Sequence, residues 1–193
     1  MNESSNGTDP TVLIVDDEAE VADVYELRLR GYYDTETAYG GEEALERVDD
    51  DIDVVLLDRR MPGVSGDEVL EEISDRDLDC RVIMITAVDP DFDIVEMSFD
   101  QYICKPVEKA DLVDAIEQQL AAREYDARLT EYLEVTSKLA LLESEKSEGE
   151  LARNDEVVAL RERASELRAG LDDVLDEFDD VGEAFKEIDR DAG

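Results

Sequence analysis

Residues 54 to 58 read Val-Val-Leu-Leu-Asp, four apolar residues in an unbroken run that stops on a carboxylate. A half-buried strand alternates apolar and polar residues. An unbroken run marks a strand covered on both faces, as in a parallel sheet with helices on each side. In such sheets the ligand site lies at the carboxyl ends of the strands, so Asp58 falls where chemistry is done. The pattern recurs in TVLIVD (11–16) and CRVIMIT (80–86), and in the short QYIC (101–104). DTETAY (34–39) is more polar and reads as an edge strand. Between these runs the period changes to that of a helix. Glu18 to Arg30 carries Val21, Val24 and Leu27, a second helix carries Ala44, Leu45 and Val48, and 66–76 is a third. DFDIVEMSF (91–99) is a short, poorly marked fourth, and 108–123 is a strong fifth with Leu112, Ile116 and Leu120. Five βα units predict an α/β fold: a doubly wound, five-stranded parallel sheet with strand order 2-1-3-4-5.

After Arg123 the strand signals stop. Tyr125, Leu129, Tyr132, Thr136 and Leu139 follow at steps of four and three, and a polar stretch, 144–155, interrupts them. A second run then places Val157, Leu160, Ala164, Leu167, Leu171, Val174, Phe178, Val181, Phe185 and Ile188 in strict three-four register. That is a long helix with a coiled-coil seam, and the two runs together predict an all-α helical hairpin or coiled-coil extension. The expected organisation is a disordered tail over 1–10, an α/β domain over 11–123 and an acidic helical domain over 124–193.

The 193 residues include 56 acidic and 19 basic side chains, a formal charge of −37, yet 42% are apolar, which is enough for a core. So acidic a chain does not by default attract nucleic acid or anionic membrane. No stretch approaches the ~20 apolar residues of a membrane span. MNESSNGTDP has no apolar core to act as a signal peptide, so a cytoplasmic protein is expected. Cys80 and Cys104 fall at opposite ends of neighbouring strands, too far apart to bridge, and read as buried small hydrophobes.

Asp58 has company at its sheet edge. The first strand ends in Asp16 and Asp17, and strands one and three are neighbours in the order 2-1-3-4-5. Three carboxylates drawn together repel unless a cation joins them, and hard oxygen donors suit Mg²⁺. Beside a metal, Asp58 becomes a screened nucleophile able to take a phosphoryl group. Thr86 ends the fourth strand with a hydroxyl, and Lys105 ends the fifth with an ammonium that can neutralise a phosphoryl oxygen. Taken singly, each has a plainer reading: an acidic pair after a strand is usually a cap or turn, and Lys-Pro a loop. A metal-dependent phosphatase of the Asp-x-Asp type would need a second acid at position 60, which is arginine.

The motifs LIVDDE, LLDRRMPG, MITA and YICKP, taken with their order, resemble the receiver domain of two-component response regulators. The resemblance covers 11–123. It implies that Asp58 is phosphorylated by a sensor histidine kinase, and that Asp16, Asp17, Asp58 and the backbone carbonyl of Arg60 hold Mg²⁺. It also implies that Lys105 contacts the phosphoryl group across a cis peptide to Pro106. Thr86 would be the switch hydroxyl, Tyr102 would rotate inward with it, and Ala87 would be the small residue beside the phosphoryl entry. Such a domain is a phosphoacceptor and not otherwise an enzyme. Where the family usually has Gly-Ala before the fifth strand, Ser98-Phe99 stand here.

The helical tail resembles the HalX domain that follows receivers in haloarchaea. The acidic, lysine-poor composition, with only five lysines, is similar to that of proteins from salt-loving archaea. Residues 125–193 hold nine basic and 21 acidic side chains, a net of −12, with no helix-turn-helix spacing. Electrostatics favour output through protein contacts, including a homodimer through the receiver face or the C-terminal helices. The family's usual label, transcriptional regulator, favours direct DNA contact. Arg161, Arg163 and Arg168 are the clustered candidates for that contact, but as neighbours of Glu162 and Glu166 beside the seam they read as ion-pair partners.

Overall fold

The computed structural model describes residues 9–87 and 92–172. Its five strands are β1 (Thr11–Val15), β2 (Asp34–Ala38), β3 (Val54–Asp58), β4 (Arg81–Thr86) and β5 (Gln101–Cys104), all parallel in the order β2-β1-β3-β4-β5. The helices are α1 (Ala19–Leu29), α2 (Gly41–Arg47), α3 (Gly66–Asp75), α4 (Lys109–Glu145) and α5 (Glu148–Leu151). A further helix, α6, is described over 155–172. The expected short helix before β5 is a 3-10 turn, Phe92–Glu96. Among the described residues no helix is long and apolar enough to cross a membrane.

The unbroken apolar run of β3 has a simple geometric cause. Successive side chains on a strand point to opposite faces. Val55 and Leu57 pack with Leu13, Val69, Ile73 and Met84 under α2 and α3. Val54 and Leu56 pack with Ile14, Leu29, Ile83 and Ile116 under α1 and the start of α4. Both faces are dry, so neither set can be polar.

Three sequence expectations are corrected. On α1 the buried residues are Ala22, Tyr25 and Leu29, while Val24 and Leu27 of the expected apolar face are exposed. The sequence carries two interleaved sets at helical spacing, and the sheet takes the one that ends in Leu29. The helix expected to stop at Arg123 continues to Glu145, because nothing between them breaks a helix. Cys104 is exposed, not buried.

The chain divides into two compact units, 1–120 and 121–193. In the second, Val135 and Leu139 of α4 pack with Leu151, Val157 and Leu167, flanked by Tyr132, Leu160 and Ala164. Val135 takes the inward place that the sequence pattern gave to Thr136, whose hydroxyl donates to the Tyr132 carbonyl. Ser147 and Glu150 form a capping box at the start of α5, and the Asn154 side chain accepts from the Glu156 and Val157 amides to start α6. Arg163 meets Glu131, and Arg128 meets Gly170, so α6 runs antiparallel to the second half of α4. The described part of the seam, Val157 to Leu171, is thus covered by the chain itself. Val174, Phe178, Val181, Phe185 and Ile188 lie outside the described residues.

Candidate functional site

The site forms where β1 and β3 lie side by side and their connections leave in opposite directions. The register pairs Val15 with Leu57, which brings the next residues, Asp16 and Asp58, to the same edge. Both carboxyls are almost wholly buried, at 2% and 7% exposure. β5 delivers a cation to them. The Lys105 ammonium donates to Asp16 Oδ2 at 2.7 Å and pairs with Asp58 Oδ1 at 2.8 Å. The Lys105 amide donates to the Thr86 carbonyl at 2.7 Å, which ties the ends of β4 and β5 together. The peptide between Lys105 and Pro106 is cis.

Each carboxylate is also held by backbone. Asp16 Oδ1 accepts from the Glu18 amide at 2.9 Å, and Asp58 Oδ2 accepts from the Arg60 amide at 3.0 Å. Burial raises the Asp58 carboxyl above its usual range. The hydrogen bond and charge of Lys105 oppose that rise, and the charge of Asp16 adds to it. Burial alone would loosen the Lys105 proton, but the hydrogen bonds to Asp16 and Asp58 and their charges hold it above the ordinary lysine range. The group is two buried carboxyl groups bridged by one lysine side chain.

The remaining candidates are placed less uniformly. Thr86 is buried at the end of β4, and Ala87 beside it is exposed. Tyr102 is half-buried, its ring 5.6 Å from that of Phe99. Asp17 is exposed, so the three acids of the sequence do not close into one carboxylate group. Among the described residues no three acids, cysteines or histidines cluster tightly enough to hold a metal alone. The cation that joins Asp16 to Asp58 is Lys105.

Two further residues at this edge carry little signal in the sequence. Arg59 is buried at 8% exposure and grips Asp67 of α3 through Nε at 3.0 Å and Nη2 at 3.2 Å. Gly66 lies so close to the end of β3 that a Cβ there would stand 2.2 Å from the Asp58 carbonyl oxygen. The sequence signals were faint: a charge directly after a buried strand, and a glycine at the first position of a capped helix.

Comparison with known proteins agrees with this architecture. Residues 12–117 match the family model "Response regulator receiver domain", and residues 121–189 match "HalX domain". A Haloferax volcanii protein whose name gives it provisionally as a transcriptional regulator is 45% identical over 187 residues, covering 93% of this chain. The chain spans only 32% of that relative's length. Among solved structures, a CheY-like response regulator receiver domain protein from Methanospirillum hungatei is similar at TM-score 0.55 and 26% identity, covering 62% of this chain and 99% of its own. Response regulator protein TrrA from Thermotoga maritima, solved in complex with Mg(2+)-BeF, is similar at TM-score 0.50 and 32% identity. That match covers 57% of this chain and 99% of the other.

Proposed function

Because the chain belongs to the response regulator receiver domain family and carries a HalX domain behind it, we propose that Asp58 is phosphorylated by a sensor histidine kinase. The observation that carries this reading is the buried Asp58 carboxylate, held by Lys105 on one oxygen and by the Arg60 amide on the other. That grip fixes the carboxylate at the end of β3. One of its oxygens attacks the phosphorus of the kinase phosphohistidine, the P–N bond breaks, and the electron pair leaves with the imidazole. The product is an aspartyl phosphate. Lys105, released from part of its bond to Asp58, moves onto a phosphoryl oxygen, and the Thr86 hydroxyl closes on another as Tyr102 turns inward.

In this reading Asp16, Asp17, Asp58 and the Arg60 carbonyl would hold Mg²⁺, and as hard oxygen donors they are of the chemistry that fits it. The fit is supported by the two buried carboxylates that already share one positive charge, and by the Arg60 backbone lying against Asp58. The metal would supply charge neutralisation for the incoming phosphoryl group. The test is Asp58→Asn with acetyl phosphate and Mg²⁺: labelling is abolished while the fold persists. Undiminished labelling at an acid-stable, base-labile bond would refute the assignment.

Output through protein contacts is the reading favoured for the helical domain. Arg161 is engaged by Glu143 and Glu148, and Arg163 by Glu131, which leaves Arg168 as the one of the three with no ion pair among the described residues. A homodimer through the receiver face or these helices belongs to the same reading. On α4, Leu133 and Leu141 are exposed on the side away from the packed seam. The second reading is direct DNA contact by the helical domain, in keeping with the transcriptional role in the Haloferax relative's name. Residues 124–193 alone are expected to give no footprint on promoter DNA in molar potassium chloride. A footprint lost on changing Arg161, Arg163 and Arg168 to alanine would reverse that choice.

A further inference from the structure

Four polar side chains are buried among the described residues: Asp16, Asp58, Thr86 and Arg59. The first three belong to the proposed phosphoryl site. Arg59 has no role there, yet a buried guanidinium is costly unless it is paired. It is paired two-pronged with Asp67, the geometry that gives such bonds both strength and direction. Asp67 lies in the first turn of α3, and that turn is fixed by the capping box between Ser65 and Glu68.

The pair sits at a neck. The loop 59–65 leaves β3 and returns to α3 at almost the same point, where the Gly66 amide donates to the Arg59 carbonyl at 3.0 Å. The near contact of Gly66 with the Asp58 carbonyl shows how tightly the two ends are drawn together. Just past this neck is Arg60, whose amide holds Asp58 Oδ2. One backbone hydrogen bond would leave the neck free to hinge. A second, two-pronged clamp from a buried side chain to a capped helix removes that freedom.

We propose that the Arg59–Asp67 pair is a positioning device that locks the neck of the β3–α3 loop and so keeps the Arg60 carbonyl presented beside Asp58, setting the affinity of the site for Mg²⁺. Arg59 is a positioning residue and touches neither metal nor phosphoryl group. The inference rests on the phosphoacceptor reading above.

The test is calorimetric titration of Mg²⁺ into the full unphosphorylated chain in molar potassium chloride. The proteins are wild type, Arg59→Met, Arg59→Lys, Asp67→Asn and the double variant Arg59→Met/Asp67→Asn. Outer partners of metal ligands typically govern affinity by roughly tenfold or more, so each of Arg59→Met and Asp67→Asn weakens binding by about that factor. The double variant is no weaker than the worse single variant, because both changes open one clamp. Arg59→Lys lies between, and the labelling rate at saturating Mg²⁺ stays near wild type. Asp67 is half-exposed, so Asp67→Asn keeps the fold and gives a valid reading should Arg59→Met not. Affinities within about twofold of wild type, or losses that add in the double variant, overturn the proposal. A wild-type chain that neither binds Mg²⁺ nor takes label overturns the phosphoacceptor reading instead.

Discussion

The receiver and the helical tail contain ion pairs of the same length but different meaning. Lys105 stands 2.7 Å from Asp16, and Arg161 and Arg163 stand 2.7 Å from Glu143 and Glu131. The receiver pair is largely shut away from water, and the tail pairs are half open to it. Attraction at a fixed distance scales inversely with the effective dielectric, so the buried pair is strongly coupled. The exposed pairs are weakened by water and, in molar salt, by a Debye length of ~3 Å. Length alone therefore says little about an ion pair. In the receiver the charges are cooperating parts of one site, and in the tail they line the edge of a packed seam.

The largest effect is expected from removing the cation of the buried group. Lys105→Met leaves Asp16 and Asp58 facing each other without compensation, which costs about 3–5 kcal/mol at neutral pH. Losing the ammonium also removes the influence that holds the Asp58 proton affinity down, leaving burial and Asp16 to raise it. Its folded pKa then lies further above the unfolded value. The stability is fully present below the unfolded value and is lost as pH rises through the folded one. Thermal melts across pH should show the deficit against wild type shrinking on acidification. A deficit that is constant with pH would mean the two carboxylates are not coupled through Lys105.

Next in size is the tail's apolar seam. Leu167 is buried against α4, and Leu167→Ala removes that packing at about 2–4 kcal/mol. Calorimetry should record the loss, with Asp58 labelling unchanged as the control for an intact receiver. No loss of stability would show that the hairpin is not held by this seam. The smallest effect is expected from the tail's exposed pairs. Arg161→Ala with Arg163→Ala should leave the melting temperature in molar salt within the scatter of repeat measurements. A fall as large as that of Leu167→Ala would erase the contrast drawn between the two units.

Much of the site could be read from the strand ends, because a parallel sheet sends all its carboxyl termini to one edge. Asp16, Asp58 and Lys105 follow from that rule, and the structure brings their polar atoms within hydrogen-bond distance. Asp17, the next residue along, is exposed, since neighbouring residues leaving a strand do not share a direction. Arg59 gives no such signal, because a charge beside a buried strand ordinarily turns outward. The return of α3 to the same point supplies a carboxylate, that of Asp67, with which it pairs there.

The alternation of strand and helix and the kinds of side chain at the sheet edge were legible in the sequence, because periodicity and chain direction are local and survive without coordinates. The strand order came with the resemblance to receiver domains, and the structure has that order. Tertiary structure alone decided which of two apolar sets on α1 meets the sheet and that Val135, not Thr136, enters the tail core. It also decided which charges are buried. Burial is a relation between elements far apart in the chain. The Lys105 bridge to Asp16 spans 89 residues, and a local pattern does not encode what arrives from that distance.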